Sequence, residues 1–245
     1  MVVENNQIKR DDVVFRKVLK GADIKMIKSK AWEWEIIDGD KENPWKEPSI
    51  ESYYLINRWL KQGKTDFLDL GCGLGRHTIQ FARAEFNTFA FDLSEKSIHS
   101  SKEWSDKEDL KIDFRVGDML NLPYKSDSMD CILCRNVISH TDTEGMKKVV
   151  NEIFRVLRKD GECYLTLGSK ETWGFKQDWP VVDENTKIRI EDGPENGIPH
   201  FYADTDLIFK LFSDFKIINV DHIQSIISEN DAFKNSWHYH LLIRK

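Results

Sequence analysis

The sequence predicts an α/β fold in which a mostly parallel, doubly wound sheet carries helices on both faces. Three observations lead to this prediction. Short apolar runs alternate with segments of helical periodicity over residues 65–168. A turn containing Gly71, Gly73 and Gly75 separates the first apolar run from the first helical segment. Acidic residues directly follow the second and third apolar runs. Strands and helices that alternate at this spacing form right-handed crossovers and a parallel sheet.

The individual elements follow from the hydrophobic periodicity. The predicted strands are 67–70, 88–91, 113–116, 131–134, 163–167, 216–223 and 236–243. The predicted helices are 76–85, 95–104, 143–158 and 204–212. We expect Thr141 and Glu144 to form a capping box at the third helix. Ser49, which follows Pro48, is expected to cap a further helix that begins there.

The segments that flank this pattern are read as covers of a single domain, 1–245. Residues 1–64 are expected to be helical and irregular, with a helix that Asp11 and Asp12 cap and that carries Val13 and Val14. Three tryptophans lie in this stretch, at Trp32, Trp34 and Trp45. Residues 65–168 form the predicted cofactor-binding core, 169–203 an inserted cover loop, and 204–245 a final helix and two strands. A long segment of this kind in a compact domain is usually functional or disordered.

Composition limits the classes of partner. The 245 residues carry a net charge of −6 and include no apolar run long enough to cross a membrane. Because no basic cluster appears and no signal core opens the chain, we expect a cytoplasmic protein that does not bind nucleic acid or a membrane. Cys131 and Cys134 lie inside a predicted strand, so we interpret them as small buried residues rather than as a redox or metal pair. The composition does not predict an oligomeric state.

The glycine turn carries the sharpest functional signal. The stretch from Phe67 to His77 reads FLDLGCGLGRH, an apolar strand that enters a glycine-rich turn and leaves into a helix. Glycines allow positive φ and a close approach of the backbone to a ligand, and the N–H groups of a helix start favour an anionic group. A dinucleotide site ends in a small residue at the position that Arg76 occupies here. The pattern therefore favours a different cofactor.

Two further loops extend this site. Asp92 lies 21 residues after Gly71 at the end of the second strand and is followed by Leu93. A carboxylate there can accept hydrogen bonds from both hydroxyls of a ribose. Asp118 and Met119 follow the third strand, where they can bind the amino group and the face of an adenine. Because the carboxyl ends of parallel strands meet at one edge of a sheet, these loops form one cleft.

The chain resembles the class I S-adenosylmethionine-dependent methyltransferases, specifically their small-molecule, ubiquinone-biosynthesis-like group. The stretches that carry the resemblance are DLGCGLGRHT, FAFDLSEKSI, VGDMLNLPYKSDSMDCILCRNVISHT and EIFRVLRKDGECYLTL, within residues 65–168. It implies a Rossmann-like seven-stranded sheet whose last strand is antiparallel, and S-adenosylmethionine as cofactor. It also implies cofactor contacts at Asp69, Gly71, Gly73, Asp92, Leu93, Asp118, Met119 and Arg135. From the same loop we add Cys72, Gly75 and His77 as candidates, where His77 is expected to bind the cofactor or Asp69, or else to lie in solvent.

Methyl transfer from a sulfonium is an in-line displacement that mainly requires alignment of the two reactants. His140, after the fourth strand, is the candidate general base because imidazole is suited to proton removal near neutral pH. The candidate acceptor contacts are the aromatic residues Trp45, Tyr53, Trp173 and Trp179. We expect a small-molecule acceptor that the sequence does not identify.

Two alternatives remain open at this level. A protein that binds S-adenosylmethionine without catalysis would carry the same motifs. An NAD(P)-dependent oxidoreductase is disfavoured by Arg76. No metal site is predicted, because no carboxylate or cysteine joins His222, His238 and His240 at a known ligand spacing.

Overall fold

A computed structural model describes residues 44–229 and 232–245, together with Trp32 and the backbone of two short strands near the N-terminus. The α-helices are α1 (Ile50–Lys61), α2 (Arg76–Arg83), α3 (Glu95–Lys107), α4 (Thr143–Val156), α5 (Trp173–Lys176) and α6 (Thr205–Leu211). The strands are β1 (Lys9–Arg10), β2 (Val13–Val14), β3 (Asp66–Leu70), β4 (Asn87–Asp92), β5 (Ile112–Val116), β6 (Met129–Cys134), β7 (Leu157–Ser169), β8 (Val181–Asp183), β9 (Thr186–Ile188), β10 (Pro199–Ala203), β11 (Lys216–Glu229) and β12 (Ala232–Arg244). No helix among these residues is long and apolar enough to span a membrane.

Seven strands form the main sheet in the order β5-β4-β3-β6-β7-β12-β11. The first five are parallel, whereas β12 is antiparallel to both of its neighbours. The predicted α/β fold with an antiparallel last strand is therefore confirmed. The strand count is larger than predicted because β10 pairs with the end of β7 and carries β9 and β8, which makes ten connected strands.

Both faces of the sheet are covered, as the continuous apolar runs require. On one face, α4 buries residues such as Met146, Val149 and Ile153 against the largest apolar cluster. On the other face, the rings of Phe67 in β3 and Phe81 in α2 stack with centroids 3.7 Å apart. The central strands are thus held between two layers of helices, and their carboxyl ends open toward one side.

One buried carboxylate fastens α1 to the sheet. Glu162 in β7 accepts two hydrogen bonds of 2.8 Å from Arg58 and one of 2.9 Å from the Trp59 indole, both in α1. Arg244 in β12 donates a further bond of 2.8 Å. Since Glu162 is completely buried, these partners are what make its charge tolerable.

Three local predictions differ from the structure. Val13 and Val14 lie in a strand, not a helix, which agrees with the preference of β-branched side chains for extended backbone; the rest of that predicted helix, and Trp34, lie outside the described residues. Helix α4 is capped by Asp142, whose carboxylate accepts the Gly145 N–H at 2.7 Å. The predicted cap Thr141 is one residue too early and is buried. The inserted segment 169–203 is not a plain loop, since it contains α5, β8, β9 and all of β10.

Candidate active site

A cleft lies at the carboxyl ends of the parallel strands, as expected for this sheet type. It holds about 850 Å³ of empty space, part of which is open to solvent. Of the residues predicted from sequence, its wall contains Asp69, Gly71, Cys72, Gly73, His77, Asp92, Leu93, Met119, Arg135, His140 and Trp45. The structure thus brings together residues from loops that are widely separated in the chain.

The glycine turn is built for close approach. Gly71, Gly73 and Gly75 have φ values of 77°, 53° and 94°, in the region that side chains disfavour. A Cβ atom on Gly71 would lie 2.2 Å from the Val137 side chain, so only glycine lets this turn meet the loop after β6. The turn is pinned to β4 by the Gly71 N–H, which donates to the Phe91 carbonyl at 2.7 Å.

Asp92 is oriented by backbone donors on both sides. Its two carboxylate oxygens accept the N–H groups of Gly73 and Ser94, each at 2.9 Å. Ser94, rather than Asp92, caps α3 through its own hydroxyl. Burial raises the pKa of Asp92. Each carboxylate oxygen can accept more than one hydrogen bond, so the side chain can still bind hydroxyl groups within the cleft.

Asp69 lies behind the turn at the end of β3. It accepts a 2.6 Å hydrogen bond from the Thr78 hydroxyl and is almost fully buried. Burial raises its pKa to about 7, although the Thr78 hydrogen bond and the nearby Arg76 oppose the shift. Near neutral pH, a cationic ligand group would therefore shift this carboxyl to its ionised form.

Two guanidinium groups lie at the same end of the cleft. Arg76 stacks over the Trp45 ring at 5.0 Å, and burial, then repulsion from Arg135, lowers its pKa to about 10. Arg135 Nε lies 3.8 Å from Glu51 Oε2, and both atoms are buried without a hydrogen-bond partner among the described residues. With Asp69 nearby, this end offers both charges that a zwitterionic amino-acid group needs.

His77 has a different neighbour from those predicted. Its Nε2 accepts the Ser49 N–H at 3.1 Å, which joins the start of α2 to the start of α1. Burial and the nearby Arg76 and Arg135 lower its pKa well below the usual value. The solvent-exposed alternative is wrong, because the ring is buried and lines the cleft.

His140 lies in the loop after β6, where its backbone N–H donates to the Val137 carbonyl at 2.9 Å. Its ring centroid lies 6.0 Å from that of Trp32 and 5.0 Å from that of His200. Burial, with a smaller effect of His200, lowers the pKa of His140 to about 3. The imidazole is thus neutral at physiological pH and offers a lone pair.

Five predicted residues do not line the cleft. Gly75 begins α2, and Asp118 accepts the Leu120 N–H at 2.9 Å within its own turn. Tyr53 faces solvent on α1 because the opposite helix face carries the buried residues. Trp173 and Trp179 instead pack edge-to-face on each other, with centroids 5.6 Å apart.

The strand register separates the three C-terminal histidines. His222 in β11 is paired with Tyr239 in β12 and stacks on its ring. His238 and His240 lie on the opposite face of β12 from Tyr239. His240 Nδ1 lies 2.6 Å from the Tyr164 hydroxyl. These histidines therefore do not converge.

Sequence reasoning missed several wall residues: Trp32, Phe91, Gly117, Asn136 and Val137. In the sequence, Arg76 provides only an argument against a dinucleotide. Glu195 and His200, which adjoin His140, are not predicted from the sequence either. Those two come from the inserted segment, where no motif marks them.

A glycine turn follows the first parallel strand, a carboxylate ends the second, and the final strand is antiparallel, an arrangement similar to that of the class I S-adenosylmethionine-dependent methyltransferases that the sequence resembles. Residues 67–161 match the methyltransferase domain family. An uncharacterized protein of Methanocaldococcus jannaschii is 32% identical over 159 residues, which make up 64% of this chain and 64% of that protein. The chain covers less than two thirds of this relative and less than half of the next two.

Solved structures agree with the fold. An S-adenosylmethionine-dependent methyltransferase of Methanosarcina mazei superposes with a TM-score of 0.66 at 17% identity, covering 81% of this chain and 98% of that one. The 1,6-didemethyltoxoflavin-N1-methyltransferase of Burkholderia thailandensis, solved with 1,6-didemethyltoxoflavin and S-adenosylhomocysteine, superposes with a TM-score of 0.55 at 15% identity, covering 80% and 77%. The narrower ubiquinone-biosynthesis-like group stays a prediction.

Proposed function

We propose that this chain transfers the methyl group of S-adenosylmethionine to a small-molecule acceptor by in-line displacement. The observation that carries the proposal is the juxtaposition of the Gly71–Gly75 turn with Asp69 behind it and Asp92 beside it in one cleft. The residues fit the cofactor chemically, since the cleft combines buried carboxyls, guanidinium groups and an apolar slot.

Each end of the cleft suits one part of that cofactor. Asp92 would accept hydrogen bonds from the ribose hydroxyls, and Leu93 and Met119 would pack on the adenine. Asp69 would bind the ammonium group, while Arg76 and Arg135 would face the carboxylate. A role of Asp118 at the adenine amino group stays a prediction, as do roles for Cys72, Gly75 and His77.

The bound cofactor supplies an electrophilic methyl group on a sulfonium, whose departure as a neutral thioether needs no acid. The protein must align the acceptor and exclude water, which can contribute roughly 7–11 kcal/mol. Trp32, Trp45 and His140 are suited to this because they contribute aromatic rings to the wall. His140 is neutral and can accept a proton. Because its pKa is about 3, it is a weak base and takes a proton only from an acceptor group whose own pKa has been lowered.

The concave shape of the cleft favours a small acceptor over a macromolecule, because its wall is formed by side chains from several loops around one sheet edge. The Burkholderia enzyme, whose structure contains a small heterocyclic acceptor, supports the same class. The non-catalytic alternative is tested by incubating the protein with S-adenosylmethionine and fractionated metabolites. Formation of S-adenosylhomocysteine that depends on an added fraction supports transfer, whereas none with any fraction supports binding alone.

Replacing Asp92 tests the proposed cofactor site. A hydrogen bond to a charged group is worth about 1.5–3 kcal/mol, so Asp92→Asn should weaken binding of S-adenosylhomocysteine roughly 10- to 100-fold. Isothermal titration calorimetry measures this directly. Asp106→Asn, an exposed acid on α3, is the matched control and should bind like the wild type. Binding of NADH but not S-adenosylhomocysteine by the wild type would overturn the proposal.

A further inference from the structure

Three side chains converge beside the cleft and form a cluster that has no part in the proposed cofactor site. His140 Nε2 lies 4.0 Å from Glu195 Oε1, and His200 Nε2 lies 3.6 Å from Glu195 Oε2. The three candidate ligand atoms all lie within 4.8 Å of one another. Ligands at 2.0–2.2 Å from a tetrahedral ion are about 3.4 Å apart, so separations of up to 4.8 Å must shorten by at most about 1.4 Å for the set to close around one ion.

The backbone fixes this convergence. The Phe201 N–H donates to the Ser139 carbonyl at 2.7 Å, which ties β10 to the loop that carries His140. His200 is held in register by the pairing of β10 with β9. Glu195 is held in a turn by the Ile198 N–H, which donates to its carbonyl at 3.1 Å. Strand pairing and tight turns therefore fix the backbone from which the three side chains extend.

The tautomer of His200 is compatible with metal ligation by its Nε2. His200 Nδ1 lies 3.0 Å from the Ile198 carbonyl oxygen, which can only accept, so Nδ1 carries a hydrogen. In a neutral ring, the lone pair of Nε2 then faces Glu195 Oε2, which also carries lone pairs. Two acceptors meet without a hydrogen unless a proton or a metal ion lies between them. Histidines that ligate a metal commonly donate their other ring N–H to a backbone carbonyl in this way.

The charges around the cluster are compatible with a bound divalent ion. Arg189 donates to Glu195 Oε2 and also forms an ion pair of 3.1 Å with Glu191. Ligating carboxylates are themselves usually hydrogen-bonded by outer partners, a role that Arg189 fits. Glu195 Oε1 still faces His140. His238 and Tyr202 are further titratable groups close to Glu195 and His200. Burial lowers the pKa of His238 to about 4 and raises the pKa of Tyr202, so neither adds charge at neutral pH.

We propose that His140, Glu195 and His200 bind one divalent transition-metal ion at the acceptor side of the cleft. Two imidazoles and one carboxylate favour Zn²⁺ or a similar ion over Mg²⁺, which prefers oxygen ligands. Three protein ligands leave a coordination position open, the arrangement of catalytic rather than structural sites. Because His140 also lines the cleft, that position adjoins the space for the acceptor. If the proposed function holds, the ion would bind an acceptor oxygen or nitrogen and make it more acidic, so that its proton passes to solvent and His140 acts as a ligand instead of a base.

Metal titration tests this proposal on the full chain, prepared without a histidine tag and stripped with a chelator. We expect one equivalent of Zn²⁺ to bind by calorimetry, and Co²⁺ to give the visible absorption of a tetrahedral site. Glu195→Gln and His200→Asn should each weaken Zn²⁺ binding by more than the 10- to 100-fold that loss of an outer partner costs. His99→Ala removes an exposed histidine on α3 and should leave Zn²⁺ affinity unchanged.

Binding of S-adenosylhomocysteine and thermal unfolding are measured on the same samples. Variants that keep both but lose Zn²⁺ support the site, because this excludes misfolding. If a ligand variant unfolds, the Co²⁺ spectrum of the wild type still decides the question. Absence of stoichiometric metal binding by the wild type, or equal affinity in folded ligand variants, overturns the proposal. Zn²⁺ binding without S-adenosylhomocysteine binding would instead contradict the proposed function.

Discussion

At the scale of single residues, burial destabilises the charged form of Asp69, a residue of the proposed cofactor site. This carboxyl is buried at the end of β3 with one hydroxyl donor, so its ionised form is poorly solvated. Its pKa of about 7 lies above the value of 3.8 expected for an exposed aspartate. A cationic ligand group would relieve this cost, which is how such a side chain contributes to specificity.

Burial of the Asp69 carboxylate predicts that the stability difference between the wild type and Asp69→Asn depends on pH. Between pH 4 and 7 the folded wild type holds a proton that the unfolded chain has lost, so its free energy of unfolding falls as pH rises. The pKa difference corresponds to a destabilisation of the folded state by about 4 kcal/mol, which is fully present only above pH 7. Asparagine does not titrate, so the variant should gain stability relative to the wild type across this range. Denaturant unfolding at several pH values measures the gain, and a constant difference would contradict the assignment.

Sequence could predict Gly71 and Asp92 because each directly follows a strand, and strand ends meet at one edge of a parallel sheet. It could not predict Glu195 and His200, whose positions depend on pairing of β10 with β9 and β7. These strands are five, three and thirteen residues long, and the shorter two carry too few residues for a clear periodicity. Helical periodicity likewise did not reveal that Tyr53 faces solvent, because α1 is aromatic on both sides.

At the scale of elements, the glycine turn also sets the distance between two helices. Gly75 begins α2, and a Cβ atom there would lie 2.1 Å from Ser101 Oγ on α3. Ser101 Oγ is buried and has no hydrogen-bond partner among the described residues. The contact therefore reflects close packing of the two helices rather than a polar interaction.

Gly75→Ala should lower the free energy of unfolding by about 2–4 kcal/mol, through positive-φ strain and the clash with Ser101. Ser101→Ala alone should be close to neutral, because it removes an unpaired hydroxyl. In the Ser101→Ala background the cost of Gly75→Ala should fall, and a double-mutant cycle measures that coupling. An identical cost in both backgrounds would show that the helices are not in this contact.

The attachment of α1 depends on Glu162. Burial raises the pKa of this carboxyl, but hydrogen bonds from Arg58, Arg244 and Trp59 more than offset this and hold it at about 2. Because that value lies below the 4.5 of the exposed side chain, the stabilisation is present above pH 4.5 and is lost as pH falls toward 2.

Glu162→Gln should cost about 3–5 kcal/mol near neutral pH, since it leaves two guanidinium groups without their counter-charge. The difference from the wild type should shrink below pH 4.5, as measured by chemical denaturation. Glu171→Gln removes an acid from an exposed pair with Lys176 and should change stability little. A similar loss in both variants would mean that the buried network is not what holds α1.

At the scale of the whole molecule, ligand binding should stabilise the fold, because the cleft walls come from several elements around the sheet edge. Ligand at 100 times its Kd stabilises the folded state by about 2.7 kcal/mol. For a chain of this length that corresponds to a rise in Tm of about 5–10 °C. Differential scanning fluorimetry should show this rise with S-adenosylhomocysteine and none with NADH. Asp92→Asn at the same concentration should shift less.

The two sides of the cleft have different origins in the chain. The cofactor-facing Gly71, Asp92 and Met119 lie within residues 67–161, the part that matches the family. Trp32, Glu195 and His200 lie outside it. Apart from His140, the residues on the proposed acceptor side can therefore be substituted without touching the matched part of the chain. If the proposed function holds, such substitutions would redirect a methyl group to new acceptors while the donor half stays intact.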